Sequence, residues 1–150
     1  MVFKKEKRLL MKSIFLALAT LFLVSCGSKE AQPIKLHTDA CDFCKMSIAD
    51  GKFGAEVITE KGRCYKFDDL SCMMYFAKEN TDIAVFYVND YAEDNTLISA
   101  ETSFFLRGGD LRSPMRGNYA AFSSEDLRNE YQPKVNAEAV TWDQVLKDFQ

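Results

Sequence analysis

The stretch that decides the fold runs from Phe53 to Val88, FGAEVITEKGRCYKFDDLSCMMYFAKENTDIAVFYV. Phe53–Thr59 and Arg63–Phe67 are short runs rich in β-formers, separated by Glu60-Lys61-Gly62. Two such runs around a short Gly-containing connection predict a β-hairpin. Asp68-Asp69 then opens a helix, because Leu70, Met73, Met74 and Ala77 recur at i, i+3, i+4 and i+7 and Asn80 supplies a stop. Ile83–Val88 is continuously apolar and reads as a buried strand.

The second half has the same order of parts. Leu97–Arg107 reads as a strand, Gly108-Gly109 breaks it, and Asn118–Phe122 reads as the next. Ser123 with Asp126 three residues on has the form of a capping box for a helix to about Tyr131, ended by Pro133. Ala137–Val140 is a third strand. Thr141 can cap a final helix with Trp142, Val145, Leu146 and Phe149 on one face. The expected fold is therefore α+β, with two small ββαβ-type units, about 53–90 and 97–140, packed together in one domain spanning 39–150.

The N-terminus is of another kind. Lys4, Lys5, Lys7, Arg8 and Lys12 precede an apolar run from Ile14 to Val24, then Ser25-Cys26-Gly27. A basic head, a short apolar run and a small-residue cleavage site describe a secretory signal over residues 1–25. Met11-Lys12 begins a complete signal by itself, so Met1 and Met11 are both candidate starts. Leu23-Val24-Ser25-Cys26 resembles the lipobox of bacterial lipoproteins, which implies cleavage before Cys26 and its acylation. Acyl chains there would hold the protein to a membrane of the cell envelope, facing the periplasm or exterior. An ordinary secretory signal with an incidental cysteine, or an uncleaved N-terminal anchor, is the alternative. Residues 26–38 then read as a lipidated tether. Of the 19 basic and 22 acidic side chains, five and one lie in residues 1–25, leaving 14 and 21 and a net charge of −7. An acidic domain without a basic stripe excludes nucleic acid as a partner.

Sulfur is the other prominent feature. Besides Cys26 the chain holds Cys41, Cys44, Cys64 and Cys72. Outside the cytoplasm an even number suggests disulfides, yet a domain this long does not need staples, and a chemical use carries equal weight. The densest segment is Asp39-Ala40-Cys41-Asp42-Phe43-Cys44-Lys45-Met46. A four-cysteine zinc site needs a second close pair, but Cys64 and Cys72 are far apart and fall on a predicted strand and helix. A thioredoxin-like site needs the pair to open a helix after a strand. Neither reading uses Met46.

A thiolate with a thioether is a soft ligand set, and soft sulfur selects Cu(I). If the segment is extended, Cys44 and Met46 project to one side. Met46 alone is read equally well as a gap-filling core residue. Ser113-Pro114-Met115-Arg116-Gly117 adds support, because Met115 lies in a polar Pro/Gly loop with no core to fill. Cys44, Met46 and Met115 are thus the candidate metal ligands, with Cys41 and His37, the single histidine, as further candidates. Cys72, Met73 and Met74 follow the helical face and read as core, and Cys64 as a strand residue. A bridge between Cys64 and Cys72 stays open.

The lipobox, the Asp-x-Cys-x-x-Cys-x-Met run, Phe67-Asp68-Asp69 with Cys72 behind it, Pro114-Met115-x-Gly117 leading to Ala121-Phe122, and Trp142-Asp143 together resemble the NosL family. Those are copper-chaperone lipoproteins that accompany nitrous oxide reductase. The resemblance covers about residues 39–145. It implies Cu(I) held by Cys44, Met46 and Met115, two ββαβ-type units, and copper delivery to the reductase or its assembly machinery. Lys45, where Gly is commoner, and Arg116 depart from the pattern. A cation beside a thiolate would lower its pKa, so neither is disabling. The expected function is binding and delivery, with no catalysis. The rivals are a thiol-disulfide oxidoreductase using Cys41 and Cys44, and a structural lipoprotein with disulfides. Met46 and Met115 separate them from the first reading, since neither rival needs a thioether.

Overall fold

The computed structural model describes residues 28–150; the expected signal sequence, Cys26 and Gly27 lie outside the described residues. Strands β1 (Ala55–Thr59) and β2 (Cys64–Phe67) form the expected hairpin, with Gly62 turning at φ 79°. Helix α1 (Leu70–Glu79) follows, and the Asp69 side chain accepts the Ser71 amide as its N-cap. Strand β3 (Ile83–Asn89) returns beside β1, pairing Val57 with Phe86. The first sheet has the order β2-β1-β3-β4, with β4 at Leu97–Ser99, and every pairing is antiparallel.

Here the structure departs from the expected single strand over 97–107. A 3₁₀ turn at Ala100–Thr102 divides it, with the Ser103 hydroxyl donating to the Ser99 carbonyl at 2.6 Å. The first half joins the first sheet through Val88 and Ile98, while β5 (Phe104–Arg107) starts the second. Strands β6 (Tyr119–Phe122) and β7 (Glu138–Val140) flank it in the order β6-β5-β7. The second ββαβ unit thus begins at Phe104. Ala100 is fully buried, so the apolar pattern runs through the turn without marking it.

Helix α2 (Glu125–Val135) is capped by Ser124, one residue after the expected Ser123, and passes through Pro133. No residue of α2 is buried, so water can reach the backbone group that proline leaves without a partner. Asn136, at φ 50°, ends the helix in the left-handed conformation. The last helix, α3 (Trp142–Asp148), carries the Thr141–Gln144 capping box.

The two units share a core. Val57, Phe67, Met73 and Val88 of the first pack with Phe105, Tyr119, Val140 and Val145 of the second. Trp142 stacks on Phe105 at 5.7 Å and touches Phe86 at 5.4 Å. The Tyr91 amide donates to the Ala121 carbonyl at 2.8 Å, and the buried Asp90 carboxylate accepts the Ala92 and Ser123 amides. The outer part of the expected tether is tied down: Ile34 is buried, the Gln32 amide donates to Glu56, and Asn95 donates to the Ile34 carbonyl. Ile34 and Leu36 are apolar enough to hold the segment against the sheet. No helix among the described residues is long and apolar enough to cross a membrane.

Candidate metal centre

The Cys41–Met46 segment is a tight loop. The Cys41 amide donates to the Met46 carbonyl at 2.8 Å and the Lys45 amide to the Cys41 carbonyl at 3.0 Å, while Ala40 pairs with Ser47. Two further bonds clamp the loop to β2: the Asp42 amide donates to the Lys66 carbonyl, and the Lys66 amide to Asp42 Oδ2, both at 2.8 Å. Lys66 Nζ also pairs with Asp39 at 2.7 Å and holds that carboxyl below its usual range. Lys45 sits at φ 67°, so the loop is turned there, not extended. The simple two-residue alternation therefore does not align Cys44 with Met46. The left-handed geometry also explains why glycine suits this position.

Folding brings this loop onto the start of α1. Ligand atoms of Cys41, Cys44, Asp68 and Cys72 all lie within 4.8 Å of one another. Cys41 is fully buried and receives the Cys44 amide on its sulfur at 3.4 Å. Cys44 Sγ, half-buried, lies 3.5 Å from both oxygens of Asp68. Asp68 stands just before the Asp69 cap and Cys72 in the first turn of α1, so the cluster forms where the chain enters the helix. Cys72 was expected to serve as core and Asp68 to open the helix; both also belong to the cluster. The short separation of Asp68 and Cys72 around the helix cap was the available signal.

The cluster separates its thiols by protonation state. Cys41 falls to about 6, first because the Cys72 thiol donates to it, with the Asp68, Cys44 and Phe43 amides adding to the effect against burial. Cys44 rises to about 11, chiefly through burial, then through the negative charge at Cys41 and Asp68. Cys72 is raised strongly by its bond to Cys41 and by burial. Lys45 was expected to lower the Cys44 pKa. Its ammonium turns to the Asp42 carbonyl instead, and the net shift is upward.

Met115 comes to the same region from the other unit. Its amide donates to Asp69 Oδ2 at 2.9 Å, one residue from Asp68. Ser113 and Asn118 close the loop reciprocally, the Asn118 amide on Ser113 Oγ at 2.7 Å and the Ser113 amide on Asn118 Oδ1 at 3.1 Å. A Cβ at Gly117 would lie 2.6 Å from Asp69 Oδ1, so only glycine permits this approach. Met46 and Met115 remain 51% and 41% exposed, their thioethers filling no core. Met73 and Met74 are buried.

His37 is exposed, at φ 62°, and is not among the clustered ligand atoms. Cys64 also stands apart, raised to about 12 by burial and then by the Glu56 carboxyl group. All four cysteines among the described residues are free, so no Cys64–Cys72 bridge is present there.

No curated protein matches this chain. Among solved structures it is similar to the crystal structure of the copper chaperone NosL from Shewanella denitrificans, at 20% identity and a TM-score of 0.68. The match covers 77% of this chain and 95% of the other, and at that identity it shows the fold alone. The family model NosL matches residues 33–149, a span holding both units, the sulfur cluster and the Met115 loop. On that match, the chain belongs to the NosL family.

Proposed function

We propose that this protein is a membrane-anchored Cu(I) carrier outside the cytoplasm, delivering copper for assembly of the metal centres of nitrous oxide reductase, and that it is not an enzyme. The observation that carries the reading is the gathering of Cys41, Cys44, Cys72 and Asp68 within 4.8 Å, with exposed methionines on the Cys41–Met46 loop and on the loop bonded to Asp69. Three thiols and two thioethers are a soft donor set suited to Cu(I). A closed set of three cysteines and a carboxylate would also suit Zn(II), but zinc has no use for exposed thioethers. Copper in such a site can leave by ligand exchange. An incoming sulfur takes the place of one from Met46, Met115 or the accessible Cys44, so the ion is not released free.

The thiol-disulfide oxidoreductase reading fares worse. Exchange chemistry needs an accessible thiolate. Cys41, the thiol that ionises readily, is fully buried, and Cys44, the more accessible, is pushed up to about 11. Attachment through acylated Cys26, in an envelope membrane facing the periplasm or exterior, rests on the lipobox. The NosL copper chaperone whose fold this chain shares supports copper as cargo.

Copper content and N2O reduction of reductase purified from cells lacking this protein test the delivery claim. At limiting copper the polypeptide is expected in normal amount but short of metal, with added copper restoring part of the activity. Fully metallated reductase in the deletion strain at low copper would remove the named recipient.

A further inference from the structure

Among the described residues the large apolar side chains that stand exposed are Phe43, Met46, Tyr75 and Met115. None lies on a remote face. Phe43 sits between Cys41 and Cys44, Met46 two residues beyond, and Met115 on the loop bonded to Asp69. Tyr75, 46% exposed on α1 one turn after Ser71 and Cys72, stacks on Phe43 at 5.8 Å and is propped from behind by Phe149 at 5.4 Å. A cluster of exposed apolar groups this local marks an interaction surface.

Three exposed cations border it, against one exposed acid, Glu79, one turn beyond Tyr75 on α1. Lys45 and Arg116 adjoin Met46 and Met115 and are exposed, and Lys78 Nζ lies 6.0 Å from the Tyr75 ring. The acids nearest the cluster are drawn inward, since Asp68 and Asp69 are buried and Asp42 receives the Lys66 amide. A basic rim on a domain whose net charge is −7 from residue 26 onward is not the average surface of this protein.

We propose that Phe43, Tyr75, Met46 and Met115, rimmed by Lys45, Lys78 and Arg116, form the docking face for the copper acceptor, and that the acceptor presents an apolar patch bordered by carboxylates. The surface rests on the delivery reading and specifies its partner's chemistry. Cations at the rim steer an acidic partner and fix its register, while the aromatic pair supplies buried contact area. Because the face surrounds Cys44, docking covers the metal as the acceptor's ligands reach it. A second copy would bring three cations against three, so self-pairing is disfavoured.

The test uses the full-length protein, produced in reductase-forming cells at limiting copper as wild type, Tyr75→Ser, Lys78→Glu or Lys78→Arg. Cu(I) affinity is measured on each variant purified in detergent. Wild-type Cu(I) affinity and protein level are expected throughout. Reductase copper content should fall about fivefold or more with Tyr75→Ser and Lys78→Glu, and stay normal with Lys78→Arg. Normal reductase copper with Tyr75→Ser and Lys78→Glu, in cells where deletion of the carrier lowers it, would overturn the docking face and leave delivery standing. Normal copper in the deletion strain as well would overturn delivery and the docking face with it. Sedimentation showing that Tyr75→Ser turns a dimer into a monomer would give the face to a second copy and overturn the acceptor proposal.

Discussion

The Met115 amide and Asp69 Oδ2 are joined at 2.9 Å across 46 positions, so the carboxylate that caps α1 also holds the loop of the opposite unit. Asp69 Oδ1 meanwhile accepts both the amide and the hydroxyl of Ser71 at 2.8 Å. One buried side chain thus sets the helix bearing Cys72 and the position of Met115.

Asp69→Ala should cost about 2–3 kcal/mol of stability, combining a lost cap with a buried amide left unpaired. Chemical denaturation measures it. Gly117→Ala should act on the same junction by forcing the loop off Asp69. It should weaken Cu(I) binding about as much as Met115→Leu does, with α1 intact by circular dichroism. A variant binding copper like wild type would separate the loop from the metal.

Thiols should rank above thioethers, since a thiolate neutralises the ion. Cys44→Ser is expected to lose Cu(I) affinity most, because its sulfur is the most accessible of the three, and Cys41→Ser and Cys72→Ser should follow. Met46→Leu and Met115→Leu should each weaken it more mildly. Met73→Leu, a volume-conserving change in the core, and Cys64→Ser, away from the cluster, should leave it unchanged. Competition against a chelator gives the order. Equal losses at Met73 and Met115 would contradict the loop assignment.

Copper affinity should rise with pH. Cys41, ionised above about 6, has little proton left to give at neutral pH, whereas Cys44 keeps its proton up to about 11. A metal that needs the Cys44 thiolate must displace that proton, so between those values apparent affinity climbs about tenfold per pH unit for each proton released. A slope near one would mean that the cluster gives up one proton on binding. A slope near two would mean that both protonated thiols, Cys44 and Cys72, bind as thiolates. A flat profile would exclude Cys44 as a thiolate ligand.

Lys45→Gly and Arg116→Gly should each stabilise the protein by roughly 1 kcal/mol. Both residues hold a left-handed backbone, at φ 67° and 61°, which a Cβ disfavours. Thermal unfolding reports the gain, and a loss at either site would show that its side chain contributes more than the strain costs.

Much of the first unit was legible because each boundary carries its own chemistry: Gly62 at the turn, Asp69 at the cap, and the spacing of Leu70, Met73 and Met74 along the helix. The break at Ala100 was not, because periodicity reports burial and cannot tell which sheet a buried residue enters. Pro133 read as a stop, yet an exposed helix can leave a backbone group to water and continue. At the site, Cys41 and Cys44 announce themselves by spacing. Cys72 looks like any small helical core residue until the fold carries the loop onto the start of α1. Met115 was visible for the opposite reason, being a thioether in a loop with nothing apolar around it.

Anaerobic Cu(I) titration of the reduced protein, against a competing chelator and repeated with Zn(II), tests most directly whether the cluster is a copper site. Close to one Cu(I) per chain, held far more tightly than zinc and lost with Cys44→Ser, is the expected result. Zinc bound as tightly as copper, or no copper retained against a modest chelator, would contradict it.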